Sequence, residues 1–260
     1  MSDTYRDSHK TEGYGASYDK EFQNNPHRAL TWQIERRVLD RIVGRFLAGR
    51  RIRHLDFACG TGRVLAHLRS RAAESVGVDL SESMLDVARE NAPGARLILA
   101  DLTRDDVLGG EAFDLITAFR FFPNAEPELR RQAADAIVKH LAPGGYLVFN
   151  NHRNLTSTMH RAARLLGRGG QEGMPQSDVD DLVRTAGLRI VKAYGIGLMP
   201  ATERHLLLPR PLLGIIEGAA TACGLLKGFC QDLIFVCVPL ARSNGAAAHG
   251  RKGADGVGQP

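Results

Sequence analysis

Short apolar runs alternate with helix-like segments through the middle of this 260-residue chain. Five runs predict strands, at 53–58, 75–80, 95–101, 113–119 and 146–150. The amphipathic segments around them predict helices, at 29–47, 63–72, 82–91 and 126–141. Strands that are apolar along their whole length and alternate with helices form a parallel sheet covered on both faces. The sequence therefore predicts a doubly wound, Rossmann-like α/β fold.

The two ends of the chain differ from its middle. Residues 1–12 are polar, and residues 241–260 are rich in Gly and Ala without apolar periodicity, so we expect a flexible tail at each end. A single domain then spans 13–240. Within it, the apolar, glycine-containing segment 198–229 is predicted to be a helical insert, which could line a pocket, form a homodimer contact or rest on a membrane surface.

Composition excludes several classes of protein. Hydrophobic residues make up 43% of the chain and charged residues 24%, as in soluble globular proteins, which excludes collagen-like and wholly disordered chains. The net charge of +5 is too small to indicate a nucleic-acid partner. No apolar run is long enough for a membrane span, and the polar start lacks a secretory signal. We therefore expect a cytoplasmic protein without an integral membrane segment.

The segment DFACGTG (56–62) lies where the first predicted strand ends and a helix begins. Glycines in such a turn let a ligand approach the backbone closely. Asp56, Asp79 and Asp101 close three successive strands, and ligands of open α/β sheets bind outside those carboxyl ends. An acid in the position of Asp79 accepts hydrogen bonds from ribose hydroxyls. The pattern predicts a nucleoside-containing ligand at this edge of the sheet.

A dinucleotide is one such ligand, but the pattern departs from its fingerprint. That fingerprint needs a third glycine where this chain has Leu65, and no Tyr-x-x-x-Lys pair is present. An adenosyl ligand without phosphates needs no pyrophosphate site. A nicotinamide-dependent oxidoreductase stays open as an alternative function.

At LDFACGTG (55–62) the chain resembles the class I S-adenosylmethionine-dependent methyltransferases, with Ala58 where the family typically has its first glycine. The resemblance implies a seven-stranded, mostly parallel sheet with an antiparallel last strand, and the apolar runs 188–194 and 232–238 fit strands six and seven. It implies S-adenosylmethionine as cofactor. The cofactor-binding residues then predicted are Asp56, Ala58, Gly60, Gly62, Asp79, Leu80, Met84, Asp101, Leu102, Phe119 and Tyr18.

The resemblance also implies a role for each group of these residues. Ala58, Gly60 and Gly62 would face the methionine part, and Asp79 would bind both ribose hydroxyls. Leu80 and Met84 would flank the adenine, and Asp101 and Leu102 would contact its amino group. Phe119 would lie beside the methyl donor. Leu80 and Met84 also suit a plain core role.

Tyr14 and Tyr18 precede the first long helix. Segments in that position often fold over the cofactor in the resembled family, where a tyrosine ring can attract a sulfonium by a cation–π contact. Packing of the two rings against helix 29–47 is the other interpretation.

The resemblance predicts transfer of a methyl group to an oxygen or nitrogen of a small organic acceptor. A hydroxyl or ammonium acceptor must also lose a proton, usually to a positioned base. His152 follows the fifth strand and is the one candidate there with a pKa in the neutral range, so we predict it as the catalytic base, with a surface-loop histidine as the alternative. No metal-binding pattern is evident. A non-catalytic protein that keeps the fold is a further alternative.

Overall fold

The computed structural model describes residues 5–6, 13–167, 173–197, 211–212, 215–216, 219 and 229–240. Most of the predicted insert at 198–229, and all of 241–260, lie outside these residues. Of the predicted flexible segment 1–12, only Tyr5 and Arg6 are described, and both contact the rest of the protein. The division into two tails and one domain therefore stays a prediction.

Seven strands and seven helices make up the described fold. The strands are β1 (Ile52–Phe57), β2 (Ala72–Asp79), β3 (Arg96–Leu99), β4 (Phe113–Ala118), β5 (Leu141–Asn151), β6 (Leu188–Ile196) and β7 (Asp232–Pro239). The helices are α1 (Tyr14–Asn24), α2 (Pro26–Phe46), α3 (Arg63–Leu68), α4 (Glu82–Asn91), α5 (Pro127–Lys139), α6 (Thr158–Leu165) and α7 (Gln176–Thr185).

The strands form one sheet in the order β3-β2-β1-β4-β5-β7-β6. The pairs among β1 to β5 are parallel, whereas β7 runs antiparallel to both β5 and β6. The predicted seven-stranded α/β sheet with an antiparallel last strand is therefore confirmed. The chain reverses its direction of winding between β1 and β4, which makes the edge beyond those two strands the switch point where ligands bind in such folds. None of the helices described is long and apolar enough to cross a membrane.

Both faces of the sheet are covered by buried apolar side chains. On one face, α2 packs Ile34, Val38 and Ile42 against the sheet, in the helical spacing that the sequence shows. On the other, a chain of aromatic rings runs from Phe121 through Phe122 to Phe149 and Phe235, with ring centroids 5.0–5.3 Å apart. Aromatic pairs at such distances add stability beyond the area they bury. This packing holds the ends of β1, β4 and β5 in fixed positions.

Helix α1 was not predicted, because its sequence YGASYDKEFQN is polar and carries little apolar periodicity. It packs against the start of α4, where the backbone N–H of Gly15 donates to Ser83 Oγ at 2.8 Å. The two backbones come so close that a Cβ on Gly15 would lie 2.7 Å from the carbonyl carbon of Ser83 and closer still to its oxygen. The docking of α1 against α4 therefore requires a glycine at position 15.

We predict that Gly15→Ala destabilises the protein by about 1–3 kcal/mol, because the added methyl group overlaps backbone that cannot move aside. Gly44→Ala is a matched control: Gly44 lies in α2, its Cβ position is open, and alanine is the better helix former by about 1 kcal/mol. Urea denaturation followed by circular dichroism measures both. Equal stability of Gly15→Ala and the wild type would show that α1 does not dock as described.

Candidate active site

A cavity of about 710 Å³ opens at the carboxyl edge of the sheet. Its volume lies in the range of small-molecule sites. The structure brings together in its wall most of the predicted site residues, namely Ala58, Gly60, Asp79, Leu80, Met84, Asp101, Leu102, Phe119, Tyr18 and His152. Asp56 and Gly62, also predicted to bind cofactor, do not line it.

The carboxylate of Asp79 fixes the glycine turn at the centre of the cavity. Its Oδ2 accepts the backbone N–H of Gly60 at 2.7 Å, and its Oδ1 accepts that of Ser81 at 2.9 Å. The end of β2 is thereby tied to the turn that follows β1. A carboxylate offers about four lone-pair sites, so each of its oxygens can accept more than one donor.

The glycine turn has a special backbone conformation. Ala58 and Gly60 both lie in the left-handed region, with φ of 53° and 54°. A side chain at Gly60 would extend into open space beside the cavity, so its absence leaves the backbone accessible to a ligand. Gly62 has a different role: its φ is 74°, and a Cβ there would lie 3.0 Å from Cβ of Ala88 in α4. Gly62 therefore allows close packing of α3 and α4 rather than contact with the cavity.

Asp56 lies below the cavity floor in a buried hydrogen-bonded chain. Thr117 Oγ1 donates to Asp56 Oδ1 at 2.6 Å and lies 2.8 Å from Nε2 of His54. Since the Thr117 hydroxyl gives its proton to Asp56, His54 must donate from Nε2. Burial lowers the pKa of His54 to about 3, which keeps the ring neutral. Burial raises the pKa of Asp56 to about 7, against the opposing effect of the Thr117 hydrogen bond.

Asp101 is engaged by the N-terminal segment. Its Oδ2 accepts from Arg6 Nε at 2.8 Å, and its Oδ1 accepts from the backbone and hydroxyl of Thr103. The neighbouring Tyr5 stacks edge-to-face on Phe121, with ring centroids 5.4 Å apart. The segment thus spans the cavity from the end of β3 to the loop after β4. No sequence pattern indicated this, because Tyr5 and Arg6 stand in a polar stretch.

His152 follows β5 directly and lies in the cavity wall. Its buried Nδ1 has no hydrogen-bond partner among the described residues. Burial, together with the positive charges of Arg120, Arg153 and Arg28, lowers the pKa of His152 well below its usual value. The imidazole is therefore neutral near pH 7 and can accept a proton.

Three asparagines near His152 have structural roles. Asn150 donates to Glu35 Oε1 at 2.9 Å and accepts the backbone N–H of Arg120 at 2.6 Å. Asn151 donates to the carbonyl of Met174, and Asn154 donates to that of Cys230. These three side chains hold the loop after β5 in place beside the cavity.

Sequence analysis did not single out the basic side chains of the wall as a group. Arg28, Arg63, Arg120 and Arg153 all line the cavity. Arg63 and Arg120 each follow a strand end, at the edge where the acids were singled out, and that position was a usable signal. Arg28 gave no such signal, because it stands in the first turn of α2 and follows no strand. Within the described ranges, no three His, Cys, Asp or Glu side chains group together as a metal site.

Comparison with known proteins shows the family. A family model described as a methyltransferase domain matches residues 55–145. A trans-aconitate 2-methyltransferase of Variovorax paradoxus is 32% identical over 186 residues, which cover 69% of each chain. A dTDP-4-amino-2,3,4,6-tetradeoxy-D-glucose N,N-dimethyltransferase of Saccharopolyspora spinosa is 36% identical over 97 residues, and the chain spans only 38% of that relative's length.

The fold resembles that of a solved methyltransferase structure. The solved structure of the N-methyltransferase NodS from Bradyrhizobium japonicum, in complex with S-adenosylhomocysteine, covers 89% of this chain and 100% of its own, with a TM-score of 0.56 at 17% identity. The glycine turn, Asp79 at the end of β2 and these matches all indicate the same family. The chain belongs to the class I S-adenosylmethionine-dependent methyltransferases. The predicted family and its cofactor are thereby confirmed, and a nicotinamide-dependent oxidoreductase is not favoured.

We predict that Asp56 makes stability depend on pH. The folded protein keeps the Asp56 proton up to about pH 7, whereas the unfolded chain releases it near pH 4, so the folded state binds more protons between these values. The contribution of Asp56 to the free energy of unfolding therefore falls as the pH rises from about 4 to about 7. Asp56→Asn removes this effect.

Urea denaturation of both proteins at pH 5.0 and pH 7.5 checks the prediction. The stability of Asp56→Asn relative to the wild type should increase at the higher pH. A relative stability that is the same at both values would contradict it.

Proposed function

We propose that this protein is an enzyme that transfers a methyl group from S-adenosylmethionine to an oxygen or nitrogen atom of a small organic acceptor. The observation that carries the proposal is the carboxylate of Asp79, held at the glycine turn by the backbone of Gly60 and Ser81 and facing a cavity of small-molecule size. The Saccharopolyspora spinosa relative is an N,N-dimethyltransferase of an amino sugar, and a further relative, of Acinetobacter baylyi, is a ubiquinone biosynthesis O-methyltransferase, which supports either atom.

The residues of the cavity fit this cofactor. The carboxylate of Asp79 suits a pair of ribose hydroxyls, and the bare backbone of Gly60 admits a ligand at van der Waals distance. The apolar side chains of Leu80 and Met84 suit the faces of an adenine ring. Asp101 has less capacity left, because Thr103 and Arg6 already donate to it. We assign the adenine contact to Leu102 and to the one remaining lone pair on Asp101 Oδ2.

When bound, S-adenosylmethionine supplies a methyl group on a positive sulfur that a nucleophile can displace directly. The chain's own contribution is then mainly alignment of the acceptor with that methyl group, which is catalysis by proximity. Phe119, Tyr14 and Tyr18 bound the same cavity, where aromatic rings exclude water and attract a cation. Gly62 supports the site indirectly, by the packing of α3 on α4, and Asp56 supports it through Thr117 in β4.

In this proposal, His152 accepts the proton that the methyl acceptor loses. Its Nδ1 is buried and without a hydrogen-bond partner in the described part of the chain, so it can accept a proton from a hydroxyl or ammonium group. Burial and the nearby arginines disfavour a charged ring, which keeps His152 unprotonated through the neutral pH range but also makes it a weaker base than a free imidazole. A cytoplasmic location and a peripheral membrane or homodimer contact through 198–229 remain predictions from sequence.

We predict that Asp79→Ala raises the Kd for S-adenosylmethionine and S-adenosylhomocysteine by at least about tenfold, because it removes charge-assisted hydrogen bonds and the anchor of the glycine turn. Asp135→Ala is the matched control, since Asp135 is exposed on α5 away from the cavity. Isothermal titration calorimetry measures both variants, with circular dichroism as a check on folding. Unchanged affinity in folded Asp79→Ala would refute the assignment, and absence of binding to the wild type would refute the function.

We predict that His152→Ala lowers kcat by about 100-fold or more, the usual contribution of a positioned base, and leaves affinity for S-adenosylhomocysteine unchanged. The acid limb of the pH–rate profile should lie below the usual imidazole range and disappear in the variant. His160→Ala serves as control, because His160 does not line the cavity. Methyl transfer by His152→Ala at the rate of the wild type would exclude His152 as the base.

A further inference from the structure

The charged side chains of the cavity are divided by sign across the switch point of the sheet. On the side of β2 and β3 lie the carboxylates of Asp79 and Asp101. On the other side, Arg120 follows β4 and Arg153 follows β5. The acids face the half of the cavity assigned to the cofactor. The cofactor carries a single carboxylate of its own, which one arginine can bind, so we assign the others to the half that remains for the acceptor.

Two further arginines join this second half, and an aromatic ring holds one of them beside Arg120. The guanidinium carbon of Arg63 lies 3.5 Å from the ring centroid of Phe22, and that of Arg120 lies 5.3 Å from the same centroid. Arg28 completes the group from the first turn of α2. Guanidinium groups that share one ring repel each other, and this repulsion is relieved when an anion binds between them.

Carboxylates also lie near these arginines. Among the described residues, Asp232 at the start of β7 lines the cavity on this side. Glu35 is buried behind the wall, 3.9 Å from Arg120, and also accepts from Asn150. Glu21 lies 3.3 Å from Arg28 and is mostly exposed, and the charge of Asp19 in α1 acts on Arg63. All four arginines nevertheless line the cavity, so a ligand there meets a group of positive charges.

The backbone at Arg120 is fixed in an unfavourable conformation. Its φ of 60° lies in the left-handed region, which non-glycine residues rarely adopt. Asn150 holds its N–H, and Asn124 donates to its carbonyl at 2.7 Å. Strained residues of this kind concentrate at ligand sites, where the surrounding structure compensates for the cost. The network sets the direction of the Arg120 side chain before any ligand binds.

We propose that the acceptor carries an oxyanion, a carboxylate or phosphate group, which Arg63, Arg120 and Arg153 bind in the half of the cavity beside His152. The planar guanidinium suits both groups because it donates two parallel hydrogen bonds to a pair of oxygens. This inference rests on the proposed function, which it deepens by naming the substrate class. Binding of the oxyanion orients the acceptor against the methyl donor and decides which small molecules are accepted.

Calorimetric titration with citrate and with pyrophosphate, each in the presence and absence of S-adenosylhomocysteine, tests the proposal. The wild type saturated with S-adenosylhomocysteine should bind at least one of the two anions, because the carboxylate site of the cofactor is then filled. Anion binding that S-adenosylhomocysteine abolishes would overturn the acceptor site. Arg120→Gln and Arg153→Gln should each weaken that binding about tenfold, the effect of losing a charged hydrogen bond. Arg37→Gln is the control, since Arg37 is exposed on α2 and does not line the cavity. Arg120→Lys, which keeps the charge without the planar group, should restore part of the affinity.

The outcomes separate the two proposals. Binding of citrate alone identifies a carboxylate acceptor, and binding of pyrophosphate alone identifies a phosphate-bearing one. Binding of S-adenosylhomocysteine without either anion overturns the oxyanion site and leaves the proposed function standing, whereas the reverse result overturns only the proposed function. Anion binding that the arginine variants share with Arg37→Gln would show a non-specific interaction and overturn the site. Because Arg153 is exposed, its variant gives this answer even where a change at Arg120 affects folding.

Discussion

The hydrogen bond from the Gly60 backbone to the Asp79 carboxylate is the contact on which the site depends. It joins the turn after β1 to the end of β2 and sets the position of both relative to the cavity. Ser81 donates to the other carboxylate oxygen and also caps α4 through its hydroxyl, which accepts from the backbone of Met84. One acid therefore fixes a glycine turn, a strand end and the start of a helix. The carboxylate is oriented before a ligand arrives, so little ordering is left to occur on binding.

The rest of the cavity is built outward from that point by the sheet topology. Parallel strands bring all their carboxyl ends to one edge, so residues far apart in sequence meet there. The change of winding direction between β1 and β4 then separates an acidic half from a basic half. In our proposal, the acidic half receives the ribose hydroxyls of the cofactor, and the basic half receives the oxyanion of the acceptor. The fold thus gives each ligand its own electrostatic surroundings within one cavity.

Much of this arrangement could be predicted from sequence, for a physical reason. Asp79, Asp101, Phe119 and His152 each stand at or just after a strand end, and strand ends follow from apolar periodicity. Helix α4 has the bounds that its pattern predicts, because Ser81 caps it and its apolar residues repeat at helical spacing. Strand β5 is longer than the predicted strand at 146–150. It begins at Leu141, ahead of Gly144 and Gly145, which the pattern assigns to the end of the preceding helix.

Contacts made across long distances in sequence could not be predicted in this way. Helix α1 has too few apolar residues to show a period, and its docking depends on a glycine whose importance appears only beside α4. The roles of Asp56 and Gly62 also differ from expectation, since one lies below the cavity and the other serves helix packing. In a sequence, arginines are typical of a solvated surface. Only the folded chain shows that four of them line one cavity.

The contacts of Tyr5 and Arg6 have a practical consequence for handling the protein. These residues reach Glu126, Phe121 and Asp101, and Tyr5 itself lines the cavity. An affinity tag fused ahead of them would begin only a few residues from the cavity wall. Its histidines or acidic residues could compete for the same arginines and aspartates. Assays of cofactor and acceptor are therefore best made with protein purified through a tag at the other end, or with the leading tag removed.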